Sequence, residues 1–258
     1  MKKIILLLTF ACCIFFCKAQ DSVSFNMHYL PMRKYEQIVA QQIQTTLSFS
    51  GGDSVLNILK EKGISNPIIT NRATNGKAIV TTGEYDNATE RMPIQLIFKE
   101  LKDGNGNTLV PNGAGFTGTV KQNRMPDVDS LILPDKKDSI TRMAVGDEYT
   151  YTTPLTMPLG AFTIKANIII TYRLMTVTDS IANFNMLMKI NFDFNMSGVT
   201  VKSADGSGTG NLIYDRTNDY PLKETIDYNM KMAAEKNGVT INVNLDSHSL
   251  HSYVITKI

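Results

Sequence analysis

The chain has 258 residues, 43% of them apolar and 19% charged: enough for one large domain or two small ones, and a balance that argues against wholesale disorder and against a multi-span membrane protein. The net charge of +2 rests on Lys2, Lys3 and Lys18. Without them 23 basic residues face 24 acidic ones, a net of −1, which gives no general attraction for nucleic acid or anionic lipid.

Lys2 and Lys3 precede an uncharged apolar run from Ile4 to Phe16. As a helix it rises only about 20 Å, short of the roughly 30 Å hydrocarbon core of a bilayer. A basic start, a short apolar middle and small residues at Cys17 and Ala19 predict a secretory signal peptide over residues 1–19 and an exported, periplasmic or secreted product. Cys12, Cys13 and Cys17 all lie inside it, so the mature chain is expected to have no disulfide, thiol nucleophile or thiolate metal site. The alternative is an outer-membrane lipoprotein acylated on one of these cysteines, but Phe15 and Phe16 precede Cys17 where such a site requires small residues.

The first half is irregular. Phe25–Leu30 alternates, and residues 35–49 fit a helix or a strand through Tyr35, Val39, Ile43 and Leu47, with Thr45 and Thr46 favouring strand. Asp53 to Lys62 reads as a short helix: Asp53 as N-cap, Val55, Leu56 and Leu59 as its apolar stripe, and Gly63 as its stop. Ala78–Thr82 and Ile94–Glu100 read as strands, with Asn75-Gly76 and Asp103-Gly104 as hairpin turns. Residues 124–139 hold Pro126 and Pro134 and mark a seam. It divides an N-terminal β lobe, 20–134, from a C-terminal antiparallel lobe, 135–258, although the two are equally compatible with one domain.

The second half is strongly periodic. Phe162, Ile164, Ala166, Ile168, Ile170, Tyr172 and Leu174 alternate with residues that are polar except Ile169, and Phe184, Met186, Met188, Ile190, Phe192, Phe194 and Met196 with residues that are polar except Leu187. Period two over such lengths means antiparallel strands with one face buried and one wet. Leu222, Glu224, Ile226, Tyr228, Met230 and Met232 continue the pattern, and Asn237-Gly238 predicts a type I′ turn before Val239, Ile241, Val243 and Leu245. Leu212–Asp215 and Tyr253–Ile258 read as shorter strands. The fold class that follows is all-β or β-dominated, α+β at most. Long, strongly curved antiparallel sheets form a half-barrel or sandwich with one or two short helices.

Little chemistry is encoded locally. His248 and His251 lie three apart in a strand-like tail and point to opposite faces, so a shared metal is not expected, and no other metal or cofactor site is. Asp246-Ser247-His248 are sequence neighbours that do not build a catalytic triad, and they and His28 read as solvated residues. Gly206-Ser207-Gly208-Thr209-Gly210 leads into a strand where a phosphate loop needs a helix, so its glycines serve a bend or bulge. Asp103, Asn105 and Asn107 start like a calcium loop, but Ala114 stands where its closing Glu belongs. No enzyme is expected. An Asp-Ser-apolar triplet recurs and resembles the O-glycosylation sequon of exported Bacteroidota proteins, with sugar on Ser22, Ser54, Ser130, Ser139 or Ser180. Turn and cap preference explains the same triplets.

Two passages resemble secreted β-rich proteins of Bacteroidota. One is Leu133-Pro134 with Val145-Gly146-Asp147-Glu148-Tyr149. The other is Gly206-x-Gly208 leading to Tyr214-Asp215 and Tyr220-Pro221-Leu222. The C-terminal part also resembles the curved half-barrel of periplasmic lipoprotein carriers of the LolA/LolB type, without their acylation site and covering helices. The resemblance implies an exported β protein and supplies no functional residues. Phe184, Met186, Met188, Phe192, Phe194, Met230 and Met232 share one apolar face, and Met suits surfaces that adapt to varied apolar partners. The function expected is therefore non-catalytic binding of a lipid-like or other apolar ligand. The alternative is a structural or protein-interaction module of the envelope.

Overall fold

The computed structural model describes residues 22–25, 29–121, 141–159, 162–193 and 200–258. The predicted signal segment, the 124–139 seam, His28, Phe194, Met196, Ser130 and Ser139 lie outside them. In chain order the elements are β1 (Ser22–Phe25), β2 (Arg33–Ser50), α1 (Asp53–Glu61), β3 (Ile68–Thr82), β4 (Arg91–Asp103), β5 (Gly115–Lys121) and β6 (Thr141–Ala144). Then come β7 (Glu148–Leu159), β8 (Phe162–Val177), β9 (Ile181–Asp193), β10 (Thr200–Asp215), β11 (Tyr220–Lys236) and β12 (Val239–Lys257).

The protein is β-dominated, with one helix among the described residues. Ten strands form a single antiparallel sheet in the order β5-β4-β3-β2-β12-β11-β10-β9-β8-β7, and β1 pairs with β6 in a separate ribbon. Every neighbour in the sheet is a sequence neighbour except β2 and β12, which zip the two ends of the chain together over eighteen residue pairs from Arg33↔Lys257 to Ser50↔Thr240. The sheet is not closed into a barrel: β5 and β7 are its edges. Pro154 and Pro158 lie on edge strand β7, where a missing N–H is tolerated and discourages further pairing. The predicted long strands thus sit in one open sheet rather than in the two facing sheets of a sandwich.

One face of this sheet is packed, in two clusters. In the first, Ile170, Tyr172, Leu174, Ala182, Phe184, Met186, Leu212 and Tyr214 are covered by Val23 and Phe25 of β1 and Met143 of β6. The Phe25 ring centroid lies 4.5 Å from that of Phe184 and 5.1 Å from that of Tyr172. In the second, Tyr35, Ala78, Val80, Met92, Ile94 and Leu96 surround Tyr29 and Tyr220. Thr82, fully buried, accepts from the Arg33 N–H at 3.0 Å and donates to the Leu30 carbonyl at 2.7 Å, tying the chain entering β2 to the end of β3. The Leu30 N–H donates to the Tyr35 hydroxyl at 2.7 Å, and burial raises that phenol above its ordinary pKa.

Several local expectations are corrected. Asn75-Gly76 is no turn: both residues lie inside β3, paired with Ala40 and Val39. Gly76 sits there because its neighbour approaches closely, the Glu100 carbonyl lying 3.1 Å from where a Cβ would stand. Leu212–Asp215 is the end of the long strand β10, whose polar, glycine-rich start hides its length, and Tyr253–Ile258 falls at the end of β12, which runs on from Val239 through the polar Asp246–Ser249 stretch. Residues 35–49 are strand, as Thr45 and Thr46 favoured. The helix runs from Asp53 to Glu61, but its N-cap is Gly52 at φ 67°, and Asp53 is its first residue. Asn237 and Gly238 have φ of 54° and 77°, as a type I′ turn requires. Asp103 Oδ1 accepts from the Asn105 and Asn107 N–H groups at 2.9 and 2.8 Å, so the calcium-like triplet spends its carboxylate on a turn.

Candidate binding groove

The antiparallel register carries one row of residues across six strands. Arg72 of β3 faces Ile43 of β2, Ile43 faces Ser247 of β12, and Ser247 faces Tyr228 of β11. Tyr228 faces Gly208 of β10, which faces Met188 of β9. Period two puts this row on the packed side of the sheet, while the residues flanking it in sequence point the other way. Both sets border a concavity of about 1040 Å³, at the upper end of small-molecule pockets. Its apolar border includes Ile43, Leu187, Met188 and Tyr228, and its polar border includes Gln44, Asn71, Asp227, Asn229, Asp246 and His248.

The flanking residues are held by cross-strand contacts. Gln44 Nε2 donates to Asn71 Oδ1 at 3.0 Å. Asn229 Nδ2 donates to Asp246 Oδ1 at 2.6 Å, and Asn244 Nδ2 to Asp246 Oδ2 at 3.0 Å. His248 Nδ1 lies 2.5 Å from Asp227 Oδ1, directly across the β11–β12 ladder. His248 and His251 do point to opposite faces, but only His248 is solvated. His251 faces Glu224, with Nδ1 3.6 Å from Oε2, and both side chains are largely buried. Asp246 and His248 share a face that Ser247 does not, so the triad geometry is not formed.

The predicted apolar face divides in two. Phe184 and Met186 are 1% and 3% exposed and belong to the first core cluster. Met188, Phe192, Met230 and Met232 are half-buried, and of these Met188 borders the concavity. Met230 faces Gly206 and Met232 faces Ala204 across the β10–β11 ladder. The glycines expected at a bend or bulge instead lie in unbroken register inside β10 and permit close approach: a Cβ on Gly208 would stand 2.6 Å from the Asp227 carbonyl and 2.8 Å from the Tyr228 Cβ. Arg72 and Ser247 carry no local signal in the sequence, because only the register across six strands brings them into one row with Met188. Among the proposed glycosylation positions, Ser54 and Ser180 are exposed, whereas Ser22 Oγ accepts from Arg142 Nε at 2.9 Å.

No family model and no curated protein matches the chain. Among solved structures it is similar to a mutant of the Rh. blastica porin, at 9% identity and a TM-score of 0.24, covering 86% of this chain and 100% of that one. It is also similar to Pseudomonas aeruginosa OpdQ, at 7% identity and a TM-score of 0.22, covering 86% and 98% of the two chains. At such scores the likeness carries neither fold nor function across. The face pattern itself is informative. A membrane-spanning barrel turns its apolar residues outward to lipid, whereas this sheet packs its apolar face and exposes Lys189, Asp205, Asp227 and Lys231 on the other.

Proposed function

We propose that the protein is an exported, non-catalytic binding protein of the bacterial envelope, and that its open sheet holds a lipid-like ligand in the groove beside Met188. The observation that supports it is the concavity of about 1040 Å³ at the level where the packed face changes from fully to half-buried. Ile43, Met188 and Tyr228, on the packed side, offer a ligand apolar contact there, and Arg72 and Ser247 of the same row offer polar contact. Export rests on the sequence of residues 1–19. A non-catalytic role fits the separation of Ser247 from Asp246 and His248 by the strand's alternation.

The test is a titration of the protein with a fluorescent fatty acid, alongside the Met188→Lys variant. Saturable binding is expected in the wild type, and its loss in a variant that keeps its far-UV circular dichroism and melting midpoint. A lysine at the edge of a water-accessible groove lets its head reach solvent, whereas in a dry core the unpaired charge unfolds the protein. No saturable signal in the wild type, or unfolding of the variant, overturns the reading.

A further inference from the structure

We infer that the groove selects an acidic amphiphile: a chain-bearing carboxylate whose head group is taken by Arg72 and whose apolar body runs along Ile43, Tyr228 and Met188. This deepens the binding role proposed above and rests on it.

The argument begins with the cations. Lys34 and Lys77 share Glu36, Lys102 is paired with Glu100, and Lys202 with Glu235. Arg91 donates to Thr119, and Arg142 to Ser22. Among the described residues Arg72 is the one Lys or Arg that borders the groove, and its guanidinium has no hydrogen bond or ion pair to any of them. The two carboxylates that also border the groove, Asp227 and Asp246, lie one position off the row and point to the opposite face of the sheet, and neither forms an ion pair with Arg72. A guanidinium is built for bidentate contact with a carboxylate and stays charged at any working pH.

The row then supplies direction. From Arg72 the register passes through Ile43, Ser247, Tyr228 and Gly208 to Met188, five inter-strand steps, or about 24 Å along the sheet. A head group at one end and a polarizable apolar side chain at the other match an extended acyl chain. Gly208 leaves the position next to Met188 without a side chain. Ser247 Oγ, in the same row, is buried with no hydrogen-bond partner among the described residues.

The experiment compares a fluorescent long-chain fatty acid with its methyl ester, which keeps the chain and removes the charge. Wild type is expected to bind the acid about tenfold more tightly than the ester, with the preference falling as salt rises. Arg72→Gln is expected to bind both probes as weakly as wild type binds the ester, and Arg72→Lys to keep part of the preference. Arg72 is exposed, so both variants should fold, which circular dichroism checks. Equal binding of acid and ester by wild type, or a preference that survives Arg72→Gln, overturns this inference and leaves the binding role standing. Failure of both probes to bind wild type overturns the binding role and this inference with it.

Discussion

Charge on the sheet surface is organised by cross-strand and same-face pairing, and Glu36 is its clearest case. Lys34 Nζ lies 2.6 Å from one of its carboxylate oxygens and Lys77 Nζ 2.5 Å from the other. Hydrogen bonds from the two ammonium groups hold the Glu36 carboxyl at about 2, down from an ordinary 4.5. Because the folded pKa is depressed, the contribution of this triad is fully present above the ordinary value and is lost as pH falls from about 4.5 to about 2. A carbon-detected NMR titration should therefore find the Glu36 carboxylate still ionised at pH 3. Titration at its ordinary value would mean that the lysines do not hold it in solution, as screening of an exposed pair allows.

The strands depend on glycine where two backbones approach. Gly206, Gly208 and Gly210 alternate on the packed side of β10, against Met230, Tyr228 and Ile226 of β11. A methyl group on Gly208 would press on the Asp227 carbonyl and the Tyr228 Cβ, both of them anchored atoms. Gly208→Ala is expected to cost roughly 1–3 kcal/mol, the range for overpacking, read as a lower midpoint in urea at an unchanged slope. An unchanged midpoint would show that β10 and β11 part easily. The same strand shows what was legible in the sequence. Alternation over Phe162–Leu174 and Phe184–Phe192 announced β8 and β9, because period two is a local signal. The glycine run of β10 was recognised as something other than a phosphate loop, but its strand was read as only Leu212–Asp215, since glycines leave no hydrophobic pattern. Asn75-Gly76 failed for the opposite reason. A strong local turn signal was overridden by pairing with β2 on one side and β4 on the other. The groove was legible only at Met188. Arg72 and Ser247 are about 175 residues apart in sequence, and the β2–β12 and β2–β3 registers that place them in one row are properties of the sheet rather than of any segment.

At the scale of the whole molecule, each half of the chain completes the core of the other. The first cluster is built on β8, β9 and β10, yet Val23 and Phe25 from the start of the chain lie inside it. The second is built on β2, β3 and β4, yet Tyr220 of β11 is buried in it, its ring centroid 4.7 Å from that of Tyr35, and Tyr253 and Ile255 of β12 pack against it. The two halves also share the β2–β12 ladder, whose loss would expose two long unpaired edges. Parting the halves therefore removes side chains from both cores and breaks the longest ladder in the sheet at once. Unfolding should accordingly be a single transition, with strand content followed by far-UV circular dichroism and core packing followed by tyrosine fluorescence, the chain having no Trp. The two probes should give superimposable curves in urea. Phe25→Ala should lower both together by roughly 3–5 kcal/mol, the cost of emptying a buried phenylalanine site, although Phe25 touches only the first cluster. Two separated transitions, or a Phe25→Ala effect confined to one probe, would show that the lobes are held together by the ladder alone. Refolding should also be slow for the chain length, because the ladder that joins the halves pairs residues from opposite ends of the sequence and must wait for the intervening chain to close.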